Sequence, residues 1–132
     1  MTVTAESTTP DLGAIKQDTY VVSAINDHIV LWQAAYVATR LLSAPVRFVL
    51  SSGGHIAGIV NPPGPKGWYM LGEDVPEDAE QWRTHATRHE GSWWEDWAAW
   101  SAEHGGDRID PPPVGSERYP VLYDGPGEYI HT

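Results

Sequence analysis

Thr19-Tyr20-Val21-Val22-Ser23-Ala24-Ile25-Asn26-Asp27-His28 and Val46-Arg47-Phe48-Val49-Leu50-Ser51-Ser52-Gly53-Gly54-His55 are two versions of one pattern. Each is a short, β-branched, apolar run that breaks into a turn. The first turn carries an acid and the second a histidine. Between them lies a helix-length stretch, residues 32–42, in which Trp32, Ala35, Tyr36, Thr39 and Leu42 fall on one face at i, i+3, i+4, i+7 and i+10. Pro45 ends any continuation of that helix. A strand–helix–strand unit of about thirty residues gives two parallel strands joined by a crossover helix, right-handed by the usual rule. Parallel strands end at the same edge, and open α/β sheets place their chemistry at the carboxyl ends of strands. Asp27 and His55 are therefore expected side by side at one edge of a sheet.

A carboxylate in that position holds an imidazole in one tautomer and stabilises its protonated form. This is the acid–histidine half of a nucleophilic triad. Acid before histidine is also the chain order of the hydrolase fold in which the nucleophile comes first. Taken singly, a histidine after two glycines is often structural, and an aspartate after a strand is often a turn or cap residue. Their joint placement makes the pair a candidate site. His28, adjacent to Asp27 but expected to point elsewhere, and Gly54, beside His55, are read as supporting residues. The nucleophile is missing. There is no cysteine and no G-x-S-x-G elbow, and neither Ser51 nor Ser52 sits on one.

The 132 residues suffice for a single domain, 1–132, and a hydrophobic content of 41% argues against global disorder. A formal charge of −10 argues against a nucleic-acid partner, because phosphate binding needs clustered Lys and Arg. The absence of cysteine also excludes disulfides and thiolate zinc sites. It suits a reducing cytoplasm. The start of the chain lacks the basic residues and apolar run of a signal peptide, and no apolar stretch is long enough to span a membrane.

Residues 1–10, rich in Thr and Ser, are expected to be a flexible leader. Strand 19–25, with Val21, Val22 and Ile25, is expected to be covered on both faces. Asn61-Pro62-Pro63-Gly64-Pro65-Lys66-Gly67 is a loop by composition. Trp68-Tyr69-Met70-Leu71 reads as a short strand or as apolar cover over that loop. Pro76 is expected to open a helix that runs through Trp82 to about Thr87. Ser92-Trp93-Trp94-Glu95 has the form of a capping box. The helix it starts should run to His104 and stop at Gly105-Gly106.

Trp93, Trp97 and Trp100 share one face of that helix, and a packing role is preferred to a binding surface for an apolar or sugar-like ligand. His85 and His89 have the i, i+4 spacing of zinc helices, but Ala86 stands where the motif has Glu. With His104 they are read as solvated helix residues. Residues 107–132, with Pro111-Pro112-Pro113, are expected to form an extended arm wrapped on the surface.

These residues resemble the C-terminal part of the polyhydroxyalkanoate synthases. The likeness is carried by Asp27-His28-Ile29-Val30 with Trp32, by Arg47-Phe48-Val49-Leu50-Ser51 with Gly54-His55-Ile56-Ala57-Gly58, and by Asn61-Pro62-Pro63-Gly64. Gly91-Ser92-Trp93-Trp94 with Trp97, Gly115-Ser116, Tyr119-Pro120 and Pro126-Gly127-Glu128-Tyr129 extend it from about Thr9 to the end. Leu31 departs from the pattern, which usually has proline there.

The resemblance implies a partial α/β-hydrolase fold, here a parallel strand–helix–strand unit followed by C-terminal helices and the arm. It implies an acyltransferase that polymerises 3-hydroxyacyl-CoA into polyester with a Cys–His–Asp triad. Asp27 matches the triad acid and His55 the base; the resemblance implies that His55 activates the cysteine and that Asp27 either orients His55 or activates the 3-hydroxyl of the incoming substrate. No cofactor beyond the 3-hydroxyacyl-CoA substrate is implied. The chain would correspond to roughly the last quarter of a synthase and be inactive alone. Its partner would be the N-terminal portion of a synthase, or a full-length synthase, carrying the nucleophilic cysteine. It would work in the cytoplasm on the growing polyester, or at polyester granules. The competing reading is a non-catalytic protein that binds a full-length synthase or the granule.

Overall fold

The structure is a computed structural model that describes residues 10–131. The expected leader lies outside the described residues except for Pro10. The two predicted strands are β1, Thr19–Ala24, and β2, Val46–Ser51. They pair in parallel, with Thr19 opposite Val46 and Ala24 opposite Ser51. β3, Trp68–Leu71, and β4, Thr87–Glu90, add in antiparallel sense to give a mixed sheet of order β1-β2-β3-β4. The fold class is therefore α/β.

The predicted helix 32–42 is two segments, α1 at Trp32–Tyr36 and α2 at Ala38–Leu41. Val37 between them keeps helical dihedral angles. The N–H of Val37 donates to the carbonyl of Ala34 (3.3 Å) and that of Arg40 to Val37 (3.0 Å), so the chain tightens there to i→i−3 bonding. The expected face survives, with Trp32 and Tyr36 buried.

After β2 comes a short helix, α3, Ala57–Val60. α4 spans Ala79–His85, a shorter helix than expected. Asp78 caps it by accepting the N–H of Gln81 (2.6 Å), which leaves Pro76 outside. Ala86 turns to extended dihedral angles and leads into β4, so Thr87 begins a strand instead of ending a helix. α5 spans Trp93–His104, where its sequence signals placed it, with Gly105 as its C-cap. Ser92 Oγ accepts the N–H of Trp94 (3.2 Å). The N–H of Glu95 meets the Ser92 carbonyl instead (3.4 Å), so Ser92 caps the helix without the full reciprocal box.

Helices cover both faces of the sheet. On one face Trp32, Tyr36 and Trp82 of α1 and α4 enclose Phe48 and Leu50, with Val21 and Met70 packed against the cluster. Phe48 meets the rings of Tyr36 and Trp82 edge-on, at 4.9 Å each, the arrangement favoured by the ring quadrupole. On the other face α5 packs over β1, with Tyr20 between Trp93 (6.1 Å) and Trp100 (5.4 Å). The Tyr20 hydroxyl and Arg47 Nε both donate to Asp96 Oδ2 at 2.9 Å, and Arg47 Nη2 donates to the other carboxylate oxygen. Burial, aided by this carboxylate, pushes the Tyr20 hydroxyl pKa well up.

Trp97 departs from the expected packing face and is 44% exposed. The helix is turned so that Asp96 faces the sheet, because the guanidinium of Arg47 and the hydroxyl of Tyr20 both need its carboxylate. Residues 107–131 hold no strand or α-helix, only a 3-10 turn at Tyr129–His131, and are exposed apart from a half-buried Gly127. No helix among the described residues is long and apolar enough to cross a membrane.

Candidate active site

β1 and β2 both end on the same edge, and the backbone carries the pairing a little further. The N–H of Ile25 donates to the Ser51 carbonyl and that of Asn26 to Gly53, each at 2.9 Å. Asp27 then turns back, its N–H on the carbonyl of Ala24 (3.1 Å). Its side chain is only 8% exposed, yet both oxygens are satisfied. Oδ1 accepts the backbone N–H groups of Ile29 and Val30, at 2.9 Å each. Oδ2 lies 2.9 Å from His55 Nδ1. The Val30 N–H, with His55 and the Ile29 N–H, outweighs the opposing effect of burial and holds the carboxyl pKa down to about 2.

An ionised carboxylate only accepts, so Nδ1 carries the proton and Nε2 of the neutral ring presents its lone pair. The His55 side chain is 42% exposed. The arrangement can therefore hold a base in one tautomer while leaving its working nitrogen accessible.

The histidine is positioned by glycines that the sequence reading did not single out. Gly53 has φ of +98°, in the left-handed region, and a Cβ there would fall 3.0 Å from the Gly58 nitrogen. Gly58, in α3, lies so close to β1 that a Cβ would meet that of Ala24 at 2.4 Å. Ser51 Oγ donates to the Gly58 carbonyl, fastening α3 to the end of β2. Gly54, by contrast, would place a Cβ 3.6 Å from the Asn26 carbonyl, an ordinary contact. Its carbonyl accepts the Gly58 N–H (2.9 Å). His28 is exposed and outside the Asp27–His55 hydrogen bond. Gly53 and Gly58 both stand in the stretches quoted around His55, but nothing in the sequence set their role apart from that of Gly54.

The other histidines are dispersed. His85 ends α4 and His89 lies on β4, so they do not share a helix face as their spacing suggested. His89 stacks on Tyr69 at 5.2 Å. His104 Nδ1 faces the carbonyl of Trp100 (2.7 Å) and Nε2 faces Asp18 (3.1 Å). These two acceptors raise its pKa. Among the described residues no group of three or more His, Cys, Asp or Glu is placed to hold a metal ion.

Asp27 and His55 lie outside the two clefts around Leu71, Gly72 and Glu73, of about 520 and 740 Å³. In the chain, exposed Ile29, Val30 and Leu31 follow Asp27, and exposed Ile56 and Val60 follow His55.

No family model matches the chain. It is similar to the poly(3-hydroxyalkanoate) polymerase subunit of Cupriavidus necator, 43% identical over 122 residues, which is 91% of this chain and 21% of that protein. It is 41% identical over 123 residues to poly(3-hydroxyalkanoate) polymerase 1 of Ectopseudomonas oleovorans, 92% of this chain and 22% of that one. A polymerase subunit of Rhizobium etli is 31% identical over 117 residues, 88% and 18% of the two chains. The chain thus spans about a fifth of the length of the curated relatives it matches.

Proposed function

We propose that this chain, which is homologous to a portion of the poly(3-hydroxyalkanoate) polymerases, supplies the acid and the base of an acyl-transfer site whose nucleophile lies on polypeptide outside it. The observation that carries this reading is the 2.9 Å contact between Asp27 Oδ2 and His55 Nδ1 at the shared carboxyl edge of two parallel strands. The portion corresponds to the C-terminal part of such a polymerase, and its sheet to part of an α/β-hydrolase sheet.

In this proposal His55 Nε2 takes the proton of a cysteine thiol. The thiolate attacks the thioester carbonyl of a 3-hydroxyacyl-CoA, and the C–S bond to CoA breaks. The proton held on His55 passes to the departing CoA thiolate. Asp27 keeps the ring in its productive tautomer and stabilises the imidazolium. The 3-hydroxyl of the next unit then gives its proton to His55 and attacks the acyl group held on the cysteine; the C–S bond to that cysteine breaks, His55 returns the proton to the departing thiolate, and the polyester grows by one ester bond. Substrate and growing polymer would meet the site in the cytoplasm, at the granule surface.

The test mixes this chain with a polymerase polypeptide that carries the cysteine elbow and lacks the matched portion, and follows CoA release from 3-hydroxybutyryl-CoA. The chain alone should release none. The mixture should do so, and His55→Ala should abolish the gain. A second reading, a non-catalytic protein that binds a full-length polymerase or the granule, draws support from the exposed Ile109, Val114 and Leu122 of the tail. Undiminished activity with His55→Ala would establish that reading in place of the first.

A further inference from the structure

α3, which follows His55, is a helix of four residues and too short to hold itself in place. The turn leading into it contains His55. The Gly58 N–H donates to the Gly54 carbonyl (2.9 Å), and the Ile59 and Val60 N–H groups both donate to Ile56 (3.0 Å each). The last carbonyls of a helix have no helical partner, and three carbonyls at this end are met by side chains. That of Gly58 takes the Ser51 hydroxyl of β2. That of Ile59 accepts two indole N–H groups, Trp93 Nε1 at 3.2 Å and Trp94 Nε1 at 3.0 Å. That of Asn61, the C-cap residue, accepts the hydroxyl of the buried Ser92 at 2.6 Å.

Ser92, Trp93 and Trp94 open α5, and the rest of that helix is fixed to the sheet. Asp96 holds Tyr20 of β1 and Arg47 of β2. His104, at the far end, meets Asp18 next to β1. α5 is thus a strut between α3 and the sheet. Asp27 takes its place from the turn after β1, and His55 takes its place from the turn into α3. The strut spans the two parts that must agree for the imidazole and the carboxylate to meet. Burial does not explain Trp94, which is 37% exposed. Its N–H nonetheless turns to the same oxygen as that of Trp93, so that both lone pairs of the Ile59 carbonyl are used.

We infer that Trp93 and Trp94 are positioning residues for His55: their paired indole N–H groups on the Ile59 carbonyl, with Ser92 on that of Asn61, lock α3 so that the imidazole stays on Asp27. The catalytic consequence rests on the proposed acyl-transfer reading, whereas the lock acts in this chain alone.

The tautomer of His55 reads the lock directly. In the intact chain with 15N-labelled histidine, the His55 signal is assigned by its loss in His55→Ala. At a pH where the ring is neutral, the wild type should hold the Nδ1–H form. Trp93→Phe and Trp94→Phe each keep a ring and leave one indole donor, so each should keep that form dominant. Trp93→Phe/Trp94→Phe leaves neither donor and should release His55 to a mixture of tautomers, a change larger than the two single effects summed. Trp97→Phe, on the same helix but outside the lock, should leave the tautomer as it is. With the cysteine-bearing polymerase polypeptide, the double variant should lower kcat for CoA release by about tenfold or more and keep KM within about twofold, because misplacing a reacting group by about 1 Å costs on the order of a hundredfold.

A double variant that melts lower yet keeps the Nδ1–H form and its kcat would overturn the inference, since both rings would then only pack. So would loss of the tautomer in Trp97→Phe to the same extent. If the double variant does not fold, Ser92→Ala/Trp94→Phe keeps the half-buried Trp93 ring and removes two of the three donors. The same mixture of tautomers is expected there, and an unchanged tautomer overturns the inference. A released tautomer in the double variant, with no CoA release from the wild-type mixture, would keep the lock and remove the acyl-transfer reading.

Discussion

At the scale of the residue, Asp27 does two jobs with two oxygens. Oδ1 organises the turn that follows β1, and Oδ2 orients His55. Asp27→Asn would keep much of the shape and present a donor where the ring needs an acceptor. In the serine-protease example the equivalent change costs about 10⁴ in turnover, and CoA release by the reconstituted site should fall on that scale. His28→Ala, exposed and outside the hydrogen bond, should stay close to wild type in the same assay.

The same carboxylate gives a pH signature. Its folded pKa of about 2 lies below the ordinary 3.8. Its contribution to stability is therefore complete above the ordinary value and is lost as pH falls through about 2. Urea unfolding between pH 5 and pH 2 should show this loss in the wild type, and Asp27→Asn should remove that part of the slope.

At the scale of the element, packing decides which aromatic residues matter. Trp82 is 1% exposed and touches Trp32, Tyr36 and Phe48. Its truncation to alanine should cost about 3–5 kcal/mol in a denaturant melt. Trp97 stands out of the same kind of contact, and Trp97→Ala should shift stability by no more than about 0.5 kcal/mol. Spacing alone could not separate Trp97 from Trp93 and Trp100, because all three share a helical face. The partners across the interface, Tyr20 and Arg47, chose Asp96.

Gly58 couples elements to site. A methyl group there cannot coexist with Ala24 Cβ, and relieving the clash moves α3 and the turn that carries His55. Gly58→Ala should destabilise by about 1–3 kcal/mol, as overpacking does. It should also lower reconstituted activity more than a stability loss alone explains, measured at a temperature where both proteins are folded.

At the scale of the whole molecule, a four-stranded sheet covered on both faces has at one edge β1, six residues with no charge and no proline. Such a sheet is a template for further pairing. The purified chain should unfold over a broad range in a urea titration. A sharp transition would contradict this.

What the sequence by itself determined is what local periodicity and short-range geometry encode. β-branched apolar runs that break into turns located β1 and β2, and the spacing between them required a parallel pair with Asp27 and His55 at one edge. Ser92 and Gly105 marked the ends of α5. Trp68–Leu71 read as a short strand or as apolar cover, and pairing with β2 decides for the strand; β4 was not legible, because Thr87-Arg88-His89-Glu90 is too short to show a period and contains no apolar residue at all. β4 exists because β3 offers it hydrogen bonds, and Arg88 pairs with Met70 across the ladder. The rotation of α5, the close approach at Gly58 and the separation of His85 from His89 were likewise decided only by tertiary structure. Each depends on atoms brought close by folding from elsewhere in the chain, and no local pattern of residues carries that information.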